Sequence, residues 1–237
     1  GVGAYAVDLD AKGLELGVFE PCVFPEFAEL RIVDDTEAHT YYDTTKQEDS
    51  IMALLHTPEK MNNFKAVDFK LKGIDGQVHT LDSCRGERGL LVMFICNHCP
   101  YVKAVIERLV ADCRELQKNG IGCVAIMPND TNEYPADSFD NMKLFARSHG
   151  FTFPYLIDET QKTARAYDAV CTPDFFGFDA GGVLQYRGRV DSAGAKEAKP
   201  DTKRELLEAM LEIAKTGRSV APQFPSMGCS IKWKNAA

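Results

Sequence analysis

The apolar positions of this chain fall into regular periods only from about residue 62 onward. Before that, short apolar pieces such as VFEPCVFPEF (18–27) alternate with acidic, turn-forming ones such as VDDTEAHTYYDTTKQEDS (33–50). Neither a helical nor a strand period persists there, so residues 1–61 are expected to form a mostly irregular arm. Beyond it, VDFKLKGIDGQVHTL (67–81) predicts a hairpin turning at Asp75-Gly76. GLLVMFI (89–95) and IGCVAIM (121–127) are continuous apolar runs, the mark of strands buried on both faces. Between them Tyr101, Val102, Val105, Ile106, Leu109, Val110, Cys113 and Leu116 recur at helical spacing, and Asn119-Gly120 stops the helix.

The second half continues in the same way. DNMKLFARSHG (140–150) predicts a helix, FPYLI (153–157) a short strand, and 160–167 another helix. CTPDFFGFDAGGVLQYRGRVD (171–191) predicts two strands joined at Gly181-Gly182, and KRELLEAMLEIAKTG (203–217) a closing helix before an irregular tail. Strands alternating with helices, then a hairpin and a helix, imply an α/β domain over 62–237. Its central sheet is mixed, with helices on both faces.

Composition narrows the possible functions. At 237 residues, 45% apolar and 26% charged, the chain has the make-up of an ordinary soluble globular protein, and no run nears the ~18 apolar residues of a membrane span. The net charge of −8 belongs to the arm, where residues 1–60 hold 13 acidic against 4 basic side chains. No clustered positive surface is left to hold nucleic acid. The arm's Val18, Phe19, Val23, Phe24 and Phe27 are candidates to insert into a partner complex or across the chain's own domain. Eight cysteines without a regular framework point to a reducing setting such as the cytoplasm, with redox chemistry confined to special positions. Cys113 and Cys123, inside apolar patterns, are expected in the core.

The special position is Cys96-Asn97-His98-Cys99, just past the end of the first buried strand, where open α/β sheets place their chemistry. Haem attachment is excluded because Pro100, not histidine, follows the second cysteine. A structural zinc site needs four ligands, and Cys171 and Cys229 supply the missing two only if the fold gathers them. A dithiol/disulfide couple needing neither metal nor cofactor accounts for the local sequence best. A helix N-terminus favours thiolate on Cys96, Cys99 sits one turn on to resolve a mixed disulfide, and a protonated His98 would favour the thiolate further. Stabilising the thiolate makes the disulfide more oxidising.

C-x-x-C-P between strand and helix, with the later Thr172-Pro173, resembles the thioredoxin-like superfamily over about residues 62–237. The resemblance implies a thioredoxin-like fold in which Pro173 follows a cis peptide bond beside the cysteine pair. It makes Thr172 the residue whose backbone pairs with a substrate chain. More narrowly, CNHCPYV, FPYLIDE, CTPDFFGF, YRGR and GCSIKWK resemble a peroxiredoxin-like subgroup labelled alkyl hydroperoxide reductase/thiol-specific antioxidant homologues. The P-x-x-x-T-x-x-C loop of peroxiredoxins is missing: Met93 stands at its threonine position and Gly89 at its proline position. Relative to thioredoxin, Ile95 replaces a tryptophan, and Leu90 stands where a buried acid serves as proton acceptor. Histidine before the second cysteine is similar to disulfide isomerases, which are more oxidising than thioredoxin by about 90 mV.

The resemblance and the residues together imply thiol–disulfide exchange with protein substrates or a thiol reductant. Cys96 would attack, Cys99 resolve, His98 tune, and Pro173 and Thr172 form the substrate wall. Cys171, two residues before Pro173, and Cys229, in the tail, are further candidate redox thiols. A thiol peroxidase using Cys96 is one alternative. An interaction subunit docked through its acidic arm is another. Residues 4–27 resemble the N-terminal segments of algal light-harvesting proteins but lack the pigment-binding helix that follows in them. A plastid, entered after removal of a targeting segment, is therefore the alternative compartment.

Overall fold

The computed structural model describes residues 54–58 and 63–235; the docking arm expected upstream lies, through residue 53, outside them. The elements run β1 (Leu54–His56), β2 (Lys70–Gly73), β3 (Val78–Thr80), α1 (Leu81–Cys84), β4 (Gly89–Phe94), α2 (Pro100–Lys118), β5 (Ile121–Met127), α3 (Phe139–Ser148), β6 (Tyr155–Ile157), α4 (Lys162–Ala166), β7 (Cys171–Thr172), β8 (Asp174–Asp179), β9 (Leu184–Arg187), α5 (Glu205–Thr216) and β10 (Met227–Ser230). Local sequence explains most boundaries. Gly76, at φ +82, turns the β2–β3 hairpin, and the Asp75 carboxylate accepts from the Gln77 N–H beside it. Gly120 and Gly217, both left-handed, end α2 and α5.

In the central sheet β3, β2, β6 and β5 pair in that order, with β5–β6 parallel, and β4, β8 and β9 form a second antiparallel ladder. The two ladders meet where β4 lies against β5, and just past β4 the Ile95 N–H donates to the Ile126 carbonyl. Because side chains alternate across a strand, β4 serves two cores. Leu91 and Met93, with Ile95 just beyond, pack with α2 and α5, while Leu90, Val92 and Phe94 pack with Tyr167, Phe176 and Phe178 on the opposite face. That is why GLLVMFI is apolar throughout. Each such side chain contributes about 1.5–3 kcal/mol by burial, enough to fix where β4 ends and the cysteine loop begins.

The tail departs from expectation. Instead of being irregular throughout, it forms β10, which pairs antiparallel with β1 on one side and β7 on the other. This small sheet also takes up residues 54–56, from the segment assigned to the arm. Its pairing is non-local and its strands have two to four residues, too few for a period to register.

Candidate functional site

The helical spacing that starts at Tyr101 is met by α2, which opens at Pro100. Cys99 is its N-cap and Pro100 its first residue, so Cys96 precedes the helix rather than opening it. A proline at the first position loses nothing, because its N–H would have been unpaired. The four residues Cys96–Cys99 form a tight loop whose shape is held from outside.

The holder is Asp137, in a 3-10 turn at Pro135–Asp137 after β5. Its fully buried carboxylate accepts four N–H bonds: from the Asn97 backbone (2.8 Å), the His98 backbone (3.3 Å), His98 Nδ1 (2.7 Å) and Asn129 Nδ2 (2.8 Å). Asn97 also donates to the Ala136 carbonyl and accepts from the Tyr155 hydroxyl at 3.0 Å. The His98 ring stacks on Tyr134, 5.7 Å between centroids, and is 21% exposed. Leu90 does occupy the position where thioredoxin has its buried acid. A buried carboxylate nevertheless reaches the pair from a different element. Cys96 Sγ and ligand-type atoms of His98 and Asp137 lie within 4.8 Å of one another. With four donors already on Asp137, the carboxylate works as an orienting acceptor rather than a free metal ligand. The four-thiolate zinc arrangement does not assemble among the described residues.

The sulfurs occupy the apolar side. Cys96 and Cys99 are both fully buried. Thr172 touches each: its hydroxyl lies 3.3 Å from Cys96 Sγ, and its carbonyl 3.0 Å from Cys99 Sγ. Cys99 Sγ lies 3.1 Å from Cys229 Sγ. Burial pushes the Cys96 thiol well above its ordinary value, and its contact with Cys99 and the charge on Asp137 push the same way. Cys99 is held well below the ordinary value by hydrogen bonds from Cys229 and Cys96, helped by the Cys229 and Val102 backbone N–H groups. The lower value therefore falls to Cys99, the N-cap of α2, and the higher to Cys96.

Thr172-Pro173 is a cis peptide, between β7 and β8. The backbone of Thr172 is already engaged, since β10 pairs with it in register, Cys229 opposite Thr172. An edge expected to receive substrate is thus taken by the chain's own tail. Gly228 permits the approach, because a Cβ there would run into the Thr172 carbonyl. Cys171 is buried with its thiol turned to the Pro173 carbonyl at 3.6 Å. Met93 is a core residue and brings no polar group to Cys96, so the hydroxyl at that sulfur comes from Thr172 instead. Sequence reasoning missed Asp137, Asn129 and Tyr134. The one available signal was their place in the loop after β5, at the same sheet edge as Cys96.

A family model described as AhpC/TSA family matches residues 63–187. An uncharacterized conserved protein from Geobacillus kaustophilus is 41% identical, covering 78% of this chain and 99% of its own, with a TM-score of 0.73. A hypothetical protein from Sinorhizobium meliloti is 34% identical over 76% and 99% of the two chains, with a TM-score of 0.71. A thioredoxin-family thiol:disulfide interchange protein from Chlorobium tepidum, 19% identical over 65% and 98%, shares the fold at a TM-score of 0.50. Among curated proteins, none matches the chain. The fold is thioredoxin-like, as the cysteine motif and Thr172-Pro173 implied. Among the described residues no helix is long and apolar enough to cross a membrane.

Proposed function

This chain belongs to the AhpC/TSA family, a family of thiol–disulfide oxidoreductases and thiol peroxidases, and we propose that it exchanges disulfides with protein substrates. The observation that carries this reading is the cysteine pair at the end of β4 with Thr172 against both sulfurs, its hydroxyl 3.3 Å from Cys96 Sγ and its carbonyl 3.0 Å from Cys99 Sγ. Creating a thiolate in this buried site from nothing would be costly. Here the charge need only move: Cys99 accepts the Cys96 proton as Cys96 Sγ attacks a substrate disulfide. The substrate's S–S bond breaks, one substrate sulfur leaves as thiolate, and the other is held on Cys96. Cys99, losing its proton again, attacks Cys96 Sγ, releases the second substrate thiolate and closes the Cys96–Cys99 disulfide. A thiol reductant reverses the last state.

His98, held by Asp137, is the partly exposed wall of the same loop, and a proton on its ring would favour negative charge on Cys96 during the exchange. Thr172 and Pro173 form the opposite wall. The Thr172 hydroxyl at Cys96 is the one feature that favours the peroxidase reading. Insulin reduction measured beside hydrogen peroxide consumption, on wild type and Cys96→Ser, tests the proposal. Disulfide exchange predicts insulin reduction lost in Cys96→Ser and little peroxide turnover in either protein. Rapid Cys96-dependent peroxide consumption without insulin reduction would replace it with the peroxidase reading.

A further inference from the structure

Cys229 stands 130 positions from Cys99 in the chain, yet their sulfurs are 3.1 Å apart. The juxtaposition is built rather than incidental. Strand β10 is paired on both edges, with Cys229 opposite Leu54 of β1 and opposite Thr172 of β7. Just before it, Ser226 Oγ donates to the Pro173 carbonyl, and Ser226 exchanges backbone and side-chain hydrogen bonds with Thr57. Cys99 is the sulfur shared between the C-x-x-C pair and the contact with Cys229. Cys229 is 3% exposed and Cys99 is fully buried, so the two sulfurs face each other rather than solvent.

We propose that Cys229 is a third redox thiol that takes Cys99 over from the Cys96–Cys99 disulfide. Starting from that disulfide, Cys229 gives up its proton and its sulfur attacks Cys99 Sγ. The Cys99–Cys229 bond forms as the Cys96–Cys99 bond breaks, and the electron pair of the broken bond leaves on Cys96 Sγ, which takes up the proton. No external oxidant or reductant is consumed, because one disulfide is exchanged for another. A central sulfur attacked from one side while it releases its partner on the other is the arrangement this exchange needs. The two sulfurs must close from 3.1 Å to the disulfide length of ~2.05 Å. The product stores the oxidation behind the loop and returns Cys96 to the site as a free thiol. Cys171, with its thiol on the Pro173 carbonyl, takes no part.

The step rests on the Cys96–Cys99 couple proposed above, and a peptide map separates the two ideas. The full chain is oxidised with oxidised glutathione, quenched in acid, alkylated and cut with trypsin. Cys96 and Cys99 share the peptide 89–103, and Cys229 lies in 219–232. The expected result is a cross-linked pair of these peptides with Cys96 alkylated, lost in Cys229→Ser and in Cys99→Ser. Circular dichroism of both variants checks that they fold. A wild-type map holding only the internal 96–99 linkage, or a cross-link made through Cys96, overturns the proposal. Insulin reduction that survives in Cys96→Ser would instead sink the disulfide-exchange reading, and the map would still decide the Cys229 step.

Discussion

The middle and the ends of one four-residue loop live in opposite surroundings. Around Asn97 and His98 the neighbours are polar: Asp137, Asn129, Tyr134 and the Tyr155 hydroxyl. Around Cys99 they are another sulfur, a helix N-terminus and a backbone carbonyl, all buried. The polar side fixes the loop's shape and faces solvent through His98. On the sulfur side the Cys99 thiol is held below its ordinary value by Cys229 and Cys96. Spacing alone assigns charge and attack to the same cysteine, whereas the surroundings divide them.

Removing the polar side should have the largest effect. Asp137→Ala leaves four donors without an acceptor, three of them on the cysteine loop, and is expected to cost ~3–5 kcal/mol in urea unfolding. A loss under about 1 kcal/mol would mean that water replaces the carboxylate and that the loop is not held from β5. On the other side, Gly228→Ala forces a Cβ against the Thr172 carbonyl. It is expected to cost ~1–3 kcal/mol and to abolish the Cys99–Cys229 cross-link in the same unfolding and mapping experiments. If stability and cross-link both survive, the β7–β10 pairing is not what delivers Cys229.

The charge itself can be counted. With Cys99 lowered and Cys96 and Cys229 raised, ultraviolet thiolate absorbance of the reduced protein should show about one thiolate per chain, flat from about pH 6 to 8. Cys99→Ser should remove it. A full titration step within that window would place an ordinary thiol at the site and erase the contrast between the two sides. The smallest effect is expected from His98→Ala, because the Asp137 carboxylate bonded to the ring offsets what a ring proton adds at Cys96. Its disulfide should become more reducing by ~10–30 mV in a glutathione titration. A shift toward a more oxidising potential would mean that the imidazole does not favour negative charge on Cys96.

What the sequence disclosed follows the same division. Strand β4, helix α2 and the β2–β3 hairpin are encoded by neighbours: an apolar run, a helical stripe and a turn at Asp75-Gly76. The cysteine pair, too, is a local motif. Asp137 and Cys229 are not, since each acts on a residue about 40 or 130 positions away through the way β5 and β10 are placed. No periodicity marks a lone aspartate in a loop or a four-residue strand in a Pro- and Ser-rich tail. At Cys96 the term that spacing does not carry is burial, which raises its thiol and which a sequence gives only on average.

Trapping the first covalent step tests the account most directly. In Cys99→Ser the resolving thiol is gone and with it the acceptor of the Cys96 proton, so reduced protein mixed with an unfolded, disulfide-bearing protein should accumulate a mixed disulfide slowly, and faster as pH rises. Mass spectrometry of that adduct is expected to place the bond on Cys96, with the adduct released by dithiothreitol. No adduct, together with Cys96 converted to a sulfenic acid by peroxide in the same variant, would contradict disulfide exchange and show peroxide to be what the site acts on.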